Sequence, residues 1–252
     1  MQKMAGSVWT REKRQAKAPT LGREQIVREA IALLDGEGAD ALSMRRLAAR
    51  LKSGATSLYW HVANKDELLD LVLDEVYGEL KVPLDEEGLR WRDVVQRFAY
   101  SMRDTLARHL WAVPLVGSRP AIGPNALRAM SHLTGALRDA GFAGYNVDYA
   151  ASSVTVYVLG WALSEVSWQR MLAQSGGDPR AVVAEMGPLF EKAAEAANYP
   201  ELLEGYQRMQ SEDPTVIRAL AFEFGLVSLL DGLAVRLEQQ ELPKRGKRPA
   251  RR

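Results

Sequence analysis

The chain has 252 residues, of which 47% are hydrophobic and 26% charged, and its formal net charge of +1 is typical of an ordinary globular protein of one or two domains. It contains no cysteine, which excludes a disulfide framework, a thiolate zinc site and a cysteine nucleophile. The N-terminus has no apolar signal region, and the longest uncharged apolar run is shorter than the roughly 20 residues of a membrane-spanning helix, so a soluble, cytoplasmic protein is expected.

The two ends of the chain are basic and the part between them is acidic. Residues 1–20 carry Arg11, Lys13, Arg14 and Lys17 among small and polar residues, and residues 243–252 contain six basic residues and no acidic one. Low hydrophobicity and high charge predict that the N-terminal arm is disordered. Basic ends on an acidic body indicate contact with a polyanion; solvated segments without a role are the alternative.

Apolar residues recur at helical spacing along the chain, and no segment alternates as a strand does, which predicts an all-α protein. Short helices are expected first, at about 23–35, 43–51, 55–61 and 64–79. Longer helices follow, at about 89–110, 124–140, 146–173, 187–197 and 214–239, separated by clusters of Pro, Gly and Asn. The predicted domains are therefore a disordered arm (1–20), a head of short helices (21–80), a larger helical body (81–242) and a basic tail (243–252).

The second and third short helices have the layout of a helix-turn-helix. Ser43 is a good N-cap for the first of them, and the tight turn Lys52-Ser53-Gly54 joins it to the next. In this motif the second helix enters the major groove of DNA and its N-terminal residues meet the base edges. The inward-facing residues that set the angle between the helices are Leu47, Ala48, Leu51 and Leu58.

Three ring-bearing residues in a row, Tyr59, Trp60 and His61, must point in three directions at the far end of the reading helix. The wall of the groove there is a phosphate backbone, to which Tyr59 can donate a hydrogen bond. Trp60 has two readings, packing against the first helix or facing DNA. Small residues bring the start of the reading helix close to the bases, and Arg45 can reach a guanine. The predicted DNA-binding residues are Ser43, Arg45, Ala55, Thr56, Ser57, Tyr59, Trp60, His61 and Lys65, with Arg11, Lys13, Arg14 and Lys17 of the arm.

The stretches "ALSMRRLAARL" and "SLYWHVANKDELLDLVLDEV" resemble the tetracycline-repressor (TetR) family of bacterial transcriptional regulators, and "LYWHVxNKxxLL" is similar to the tetracycline repressor's own branch. The resemblance is close over residues 21–77. It implies that the following residues occupy the family's DNA-contacting positions: Arg45, Ala55, Thr56, Ser57, Tyr59, Trp60, His61 and Lys65. Two positions depart from the family pattern. Lys52 stands where the turn usually has glycine, and Ser53 where an apolar residue is common.

The resemblance also implies a pocket for an inducer in the helical body. Tyr157, Trp161 and Trp168 share one face of the helix 146–173, and Tyr100, Trp111 and Phe142 supply further rings that suit a planar, largely apolar ligand. The alternative is that these rings belong to the core. His109 and His132 are not at the family's ligand position, so neither tetracycline nor magnesium is expected, and no metal or cofactor is assigned.

The final helix carries a stripe of small residues beside a stripe of large ones, which lets another helix approach closely. Asp213 is its predicted cap and Pro214 its first residue. Packing within one chain is one interpretation, but the resemblance favours a homodimer in which this helix and 146–173 of two chains form a four-helix interface. The predicted interface residues are Ala221, Phe222, Gly225, Leu226, Ser228, Leu229, Gly232 and Leu233.

The favoured interpretation is a ligand-responsive repressor that binds a palindromic operator as a homodimer and is released by a small, planar aromatic molecule. An enzyme is disfavoured because the sequence has no glycine-rich phosphate loop, no histidine cluster with metal-ligand spacing and no nucleophile elbow. An architectural DNA-binding protein without an inducer is the other alternative. A large aromatic body argues against it, because bending DNA needs no such domain.

Overall fold

The structure is a computed structural model in which residues 21–81 and 89–241 are described, so the predicted basic arm and basic tail lie outside the described residues. These ranges are helical and contain no strand, which confirms the predicted all-α class. The helices are α1 (Arg23–Glu37), α2 (Met44–Arg50), α3 (Ala55–Tyr59), α4 (Lys65–Gly78), α5 (Trp91–Arg108), α6 (Val113–Val116), α7 (Pro124–Asp139), α8 (Tyr145–Gln174), α9 (Pro179–Ala196), α10 (Pro200–Gln210) and α11 (Pro214–Glu241). Short 3-10 turns lie at Ala39–Ala41 and Leu110–Ala112.

The first of two compact units ends at Leu163, within α8. Its N-terminal part is a small helical head in which α1 packs on α2 and α4. Helix α1 has its apolar residues at helical spacing, and Ile26, Ala30 and Leu33 are completely buried. Residues from three other helices complete this core, and they are Leu47, Leu58 and Leu68. A narrow apolar stripe on each short helix is thus enough to hold the head together.

The rest of the first unit is built around α5 and α7, which pack on each other, while α4 packs on α7. Val95, Phe98 and Met102 of α5 are buried at intervals of three and four residues, as an amphipathic helix requires. The linking helix α4 is therefore shared by the head and the helices that follow it. The functional boundary expected near Lys81 stays a prediction, since this unit continues to Leu163.

The second unit begins at Ser164 and contains the end of α8 with α9, α10 and α11. Helix α9 starts at Pro179, where Asp178 accepts a hydrogen bond from the backbone of Arg180 at 2.9 Å, and it continues through Pro188. Helix α10 was not predicted. Helix α11 begins at Pro214, as predicted, and the Asp213 carboxylate accepts a hydrogen bond from the Thr215 backbone at 2.8 Å.

That hydrogen bond from the Thr215 backbone lowers the pKa of Asp213, as expected for a carboxylate at a helix N-terminus. No helix in the described ranges has the length and apolar character that crossing a membrane requires.

Candidate functional site

Helices α2 and α3 form a helix-turn-helix with a well-defined start. The Ser43 hydroxyl accepts a hydrogen bond from the Arg46 backbone at 3.2 Å, which caps α2 as predicted. Leu47, Ala48 and Leu58 are buried between the helices and fix the angle at which α3 leaves the turn. These contacts hold α3 on the surface of the head by its inner face alone.

The turn between the two helices contains a residue in the left-handed region. Lys52 has a φ of 50°, and the backbone N–H groups of Lys52 and Ser53 donate to the carbonyls of Ala49 and Ala48 at 3.1 and 3.0 Å. A residue with a side chain is less stable in this region than glycine by about 1–2 kcal/mol. Lys52 therefore strains the turn at the position where the family usually has glycine. The turn keeps its geometry in spite of that cost.

The outer face of α2 and α3 presents most of the predicted DNA-binding side chains to solvent. Thr56, Ser57 and Lys65 are exposed, whereas Ala55 and His61 are half-buried. Tyr59 is 50% exposed and Trp60 is 68% exposed, so Trp60 does not pack into the core of the head. The structure therefore leaves two hydroxyl groups, two aromatic rings and a lysine of the head exposed to solvent.

The three arginines of α2 divide into two roles. Arg46 forms an ion pair with Glu37, and Arg50 forms one with Glu29 at 2.5 Å, which ties both side chains to α1. Arg45 is exposed and forms no ion pair within the described residues. Within the described residues, Arg45 is thus the arginine of α2 whose guanidinium group is not held in an ion pair with α1.

The linking helix α4 is held by carboxylates along its length, and the sequence reasoning missed all of these contacts. At its start, Arg119 donates to Asp66 and Asp70, each at 2.6 Å. In its middle, the buried Asp74 accepts hydrogen bonds from the backbone of Asn125 at 3.2 Å and of Ala126 at 2.9 Å. Asp74 therefore caps the N-terminus of α7 from another helix.

Two ionisable groups in this region have shifted pKa values. Burial alone would lower the pKa of Arg119, but the hydrogen bonds to Asp70 and Asp66 and their negative charges raise it overall. Burial and the neighbouring Asp74 raise the pKa of Tyr77. Asp74 could have been found in the sequence, because a carboxylate on the apolar face of a helix requires a buried partner.

Helix α4 also ends in a polar cluster that joins it to the head and to α5. Glu79, the C-terminal cap of α4, accepts a hydrogen bond from Arg108 at 2.7 Å. The buried imidazole of His109 lies between Glu79 and Asp35 of α1, and Trp111 donates to the same Asp35 oxygen at 2.6 Å. Because all of these side chains lie close together, we call them the joint cluster.

A small apolar recess lies against α4, one turn before the joint cluster. Its volume is about 230 Å³ including the part open to solvent, and its lining comes from α4, the segment directly after α4, α5 and α6. The lining residues are Leu73, Val76, Tyr77, Leu80, Met102, Thr105, Leu106 and Val116. None of the six predicted ligand-binding aromatics is among them.

Two of those aromatics lie together around one arginine. The guanidinium carbon of Arg103 is 4.8 Å from the centre of the Tyr100 ring and 5.8 Å from the centre of the Trp161 ring. Tyr157 is half-buried one helical turn before Trp161 on α8. Cation–π contacts of this kind leave flat ring surfaces beside a fixed positive charge.

The other three aromatics are engaged elsewhere. Trp111 is buried in the joint cluster, and Phe142 is buried against Trp91 with the ring centres 5.7 Å apart. Trp168 belongs to the second unit, where Arg218 lies 5.0 Å from the centre of its ring and also donates to Glu165. For Trp111 and Phe142 the structure thus supports a role in packing.

The final helix α11 has a buried face and an exposed face. Phe222, Leu226 and Leu230 are buried within the chain, so the first two belong to its own core. The exposed face is a stripe at intervals of four residues, formed by Val216, Leu220, Phe224, Ser228 and Gly232. Ala221 is exposed beside it, and Gly225, Leu229 and Leu233 are half-buried.

Helix α8 carries a similar exposed stripe in the first unit. Its large residues are Tyr145, Tyr149, Val156 and Leu163, which are 52–77% exposed. Gly160 lies between the last two, and a side chain added there or at Gly232 would meet no other atom within 4 Å. Large apolar side chains in a continuous stripe indicate a surface for a partner.

Comparison with known proteins matches both parts of the chain to one family. Residues 26–72 match the family model for bacterial regulatory proteins of the tetR family, and residues 82–237 match the model for the tetracyclin repressor-like C-terminal domain. An HTH-type transcriptional regulator of Saccharopolyspora erythraea is 41% identical over 78% of this chain and 80% of its own length. The HTH-type transcriptional repressor DrrR1 of Streptomyces coeruleorubidus is 33% identical over 92% of this chain and 85% of its own length.

A solved structure has the same fold over most of the chain. The TetR family protein ActR of Streptomyces coelicolor, in complex with actinorhodin, is 34% identical in sequence and superimposes with a TM-score of 0.72. The match covers 86% of this chain and 97% of ActR. The helical body is therefore similar to one that has been seen with a bound small molecule.

Proposed function

The chain belongs to the tetracycline-repressor (TetR) family of bacterial transcriptional regulators, and from that membership we propose that it represses transcription as a homodimer on a palindromic operator and is released by a small, planar aromatic molecule. The two relatives compared above are a transcriptional regulator and a transcriptional repressor.

The DNA-binding part of the proposal rests on which side chains of α2 and α3 are buried or paired and which are exposed. The inner residues of both helices are buried, and Arg46 and Arg50 are tied to α1 by ion pairs. The exposed side chains that can contact bases or phosphates are Arg45, Thr56, Ser57, Tyr59, Trp60 and Lys65. Arg45 suits a guanine edge, and the hydroxyl groups of α3 suit base edges or phosphates.

The exposed stripes on α8 and α11 support a homodimer. A monomer that left Leu220, Phe224, Tyr149 and Val156 in water would lose the free energy of burying them, about 1.5–3 kcal/mol for each large side chain. The interface that we propose contains the stripe from Val216 to Gly232 and leaves out Phe222 and Leu226. A two-fold dimer would present two reading helices to a palindrome with half-sites about one helical turn, or a small multiple, apart.

The rings around Arg103 are the proposed ligand contact. Tyr100, Tyr157 and Trp161 offer apolar ring faces, and Arg103, which donates from Nε and Nη2 to Asp104 at 2.9 and 2.7 Å, lies against two of these rings. ActR, which is similar over most of this chain, was solved with actinorhodin. We therefore infer a planar polycyclic aromatic ligand.

The DNA-binding proposal is tested by selecting duplexes from a random pool and measuring affinity at several salt concentrations. Arg45→Ala should cost about 1–3 kcal/mol and relax the preference at one base pair, whereas Lys65→Ala should weaken all sequences alike. Equal binding of random and selected duplexes at moderate salt would overturn the proposal.

The ligand proposal is tested by titrating a library of planar polycyclic aromatic compounds, with actinorhodin as the first member, into the protein–operator complex. Trp161→Ala should abolish the release of DNA while operator affinity stays within about twofold, because release depends on differential affinity for two states. Trp168→Ala is the matched control, since that tryptophan also lies against an arginine. A normal response of Trp161→Ala would move the ligand elsewhere, and no response to any compound would favour an architectural protein.

A further inference from the structure

Three aspartates of α4 form a row along one face of the helix. Asp66, Asp70 and Asp74 stand at intervals of four residues, which places them one above the other. Like charges at this spacing destabilise an isolated helix, so this aspartate row requires partners. The segment 119–126, which runs from the end of α6 into the start of α7, supplies hydrogen-bond donors to all three carboxylates.

The two ends of the aspartate row are held in different ways. Asp74 is buried, its donors are backbone N–H groups at the start of α7, and Gly123 beside it has no room for a side chain. Backbone donors cannot rotate away, so we call Asp74 the anchor of the row. Asp66 and Asp70 are held by one side chain, that of Arg119, and the Asp66 side chain is 75% exposed. Water can replace these contacts of Arg119, which we call the latch.

The body holds Arg119 in a defined position. Its backbone N–H donates to the carbonyl of Leu115 at 2.9 Å, and Pro120 restricts the backbone of the residue before it. Nη1 of Arg119 donates to the Asp70 carboxylate at 2.6 Å and to the Asp66 carbonyl at 3.1 Å. Nη2 donates to the Asp66 carboxylate at 2.6 Å. A planar guanidinium group can bridge two carboxylates and a carbonyl in one fixed arrangement, which the ammonium group of a lysine cannot do.

We propose that Arg119 is a positioning residue for DNA binding, which latches the first two turns of α4 to the body so that the reading head meets the operator in one orientation. Lys65, a predicted DNA contact, directly precedes Asp66, and the short segment after the reading helix leads into the same turn. The latch therefore acts at the end of α4 that is nearest to the reading helix. This inference rests on the proposed function, because orientation matters to a head that must span two half-sites.

The size of the effect follows from the exposure of the latch. Exposed ion pairs shift an equilibrium by roughly two- to fivefold each, and Arg119 forms two of them. Without the latch, the head takes the DNA-binding orientation for a smaller fraction of the time, and the apparent dissociation constant rises by the same factor. We expect Arg119→Ala to weaken operator binding by about three- to tenfold.

The test measures the affinity of the full-length protein for the selected duplex at several salt concentrations, with Arg119→Ala and the matched control Arg128→Ala. Arg128 is exposed on α7 and forms none of the contacts described for the aspartate row, so its removal takes the same charge from the body. Arg119→Ala should weaken binding with an unchanged salt slope, since a positioning residue releases no counterions from DNA. A slope lower by about 0.9 would make Arg119 a phosphate contact and overturn the latch, as would equal affinities of the two variants.

A second set of variants connects the effect to the aspartates. When both Asp66→Asn and Asp70→Asn are present, Arg119 has lost its two carboxylate partners, so Arg119→Ala should then change operator affinity by less than about twofold. Comparison within this background cancels the effect of the two lost negative charges on DNA binding. A loss of the full size in the same background would show that Arg119 acts by another route and would overturn the latch.

A measurement without DNA distinguishes failure of the latch from failure of the proposed function. Hydrogen–deuterium exchange of the amides in residues 66–72 should be at least about threefold faster in Arg119→Ala than in the unaltered protein, because the start of α4 opens more often. Exchange at the start of α7 should stay unchanged, since the Asp74 anchor remains. Protein with this exchange pattern that binds no selected duplex would refute the proposed function and leave the latch. Selective binding together with unchanged exchange in Arg119→Ala would refute the latch and leave the function.

Discussion

Removal of the Asp74 carboxylate should destabilise the protein more than removal of any exposed carboxylate of α4. In Asp74→Ala the backbone N–H groups of Asn125 and Ala126 lose their acceptor in a buried place. Loss of a cap costs about 0.5–2 kcal/mol, and a buried donor left without a partner costs about 1–3 kcal/mol. Since only the Ala126 contact is fully buried, we expect a total of about 2–4 kcal/mol.

Thermal unfolding followed by circular dichroism measures this loss. At about 2–4 °C per kcal/mol for a protein of this size, Asp74→Ala should lower Tm by about 5–15 °C. Asp74→Asn keeps one acceptor oxygen and should lose about half as much. The matched control is Asp66→Ala, whose ion pair with Arg119 is at the surface and contributes no more than about 1 kcal/mol. Asp74→Ala that is no less stable than Asp66→Ala would refute the reasoning.

A second change reports on the same contact from the other side. A methyl group at Gly123 would collide with the Asp74 carboxyl group, so Gly123→Ala should cost about 1–3 kcal/mol by displacing it. When Asp74 is already alanine the collision is relieved, and the two losses should sum to more than the loss of the double variant. Simple additivity would show that the Asp74 carboxyl group does not lie against Gly123.

Lys52→Gly should raise the free energy of unfolding by about 0.5–1 kcal/mol, because removing the strained left-handed backbone of Lys52 outweighs the greater freedom of glycine in the unfolded chain. An unchanged or lower Tm would show that Lys52 is not strained. Because the pKa of Glu79 is lowered, the stability that its carboxylate contributes is complete above the ordinary carboxyl pKa of about 4.3 and is lost as pH falls further. The Tm difference between the unaltered protein and Glu79→Gln should therefore shrink towards zero in acid, and a constant difference would contradict this. Gly232→Leu meets open space within the chain but should block a partner helix, so sedimentation velocity should show monomer, and a persistent dimer would place the interface elsewhere. Deletion of residues 2–17 should weaken operator binding and lower the salt slope by about 0.9 for each phosphate that the arm neutralises, and equal slopes would show that the arm has no role.

The head could be predicted from the sequence because its signals are local. Ser43 accepts a hydrogen bond from the backbone three residues ahead, as predicted, and Asn64 does the same for α4. The apolar residues at helical spacing in α1 are buried. A helix was expected at about 187–197, but α9 begins at Pro179. The helix continues through Pro188, which shows that tertiary contacts can outweigh the loss of one backbone hydrogen bond.

The contacts behind the head could not be predicted, since each joins residues far apart in the chain. His109 and Asp35 are separated by 74 positions, and Arg119 and Asp70 by 49. A sequence pattern reports which face of a helix is apolar but not which other helix covers it. For the same reason, the sequence indicated that Phe222 and Leu226 lie in a packed stripe of α11 but not that the chain's own core covers them. The stripe that stays exposed is the one with Leu220 and Phe224, on the opposite side of the helix.

The fourteen-residue length of α4 has a geometric consequence for reading DNA. At 1.5 Å per residue this helix is a rod about 21 Å long, with Glu79 at one end and Lys65, beside the reading helix, at the other. A tilt of about 10° about the Glu79 end would carry the far end through an arc of about 3.7 Å. One base pair rises about 3.4 Å, so a change of a few tenths of an ångström near the pivot can move a reading helix by a whole step along the groove.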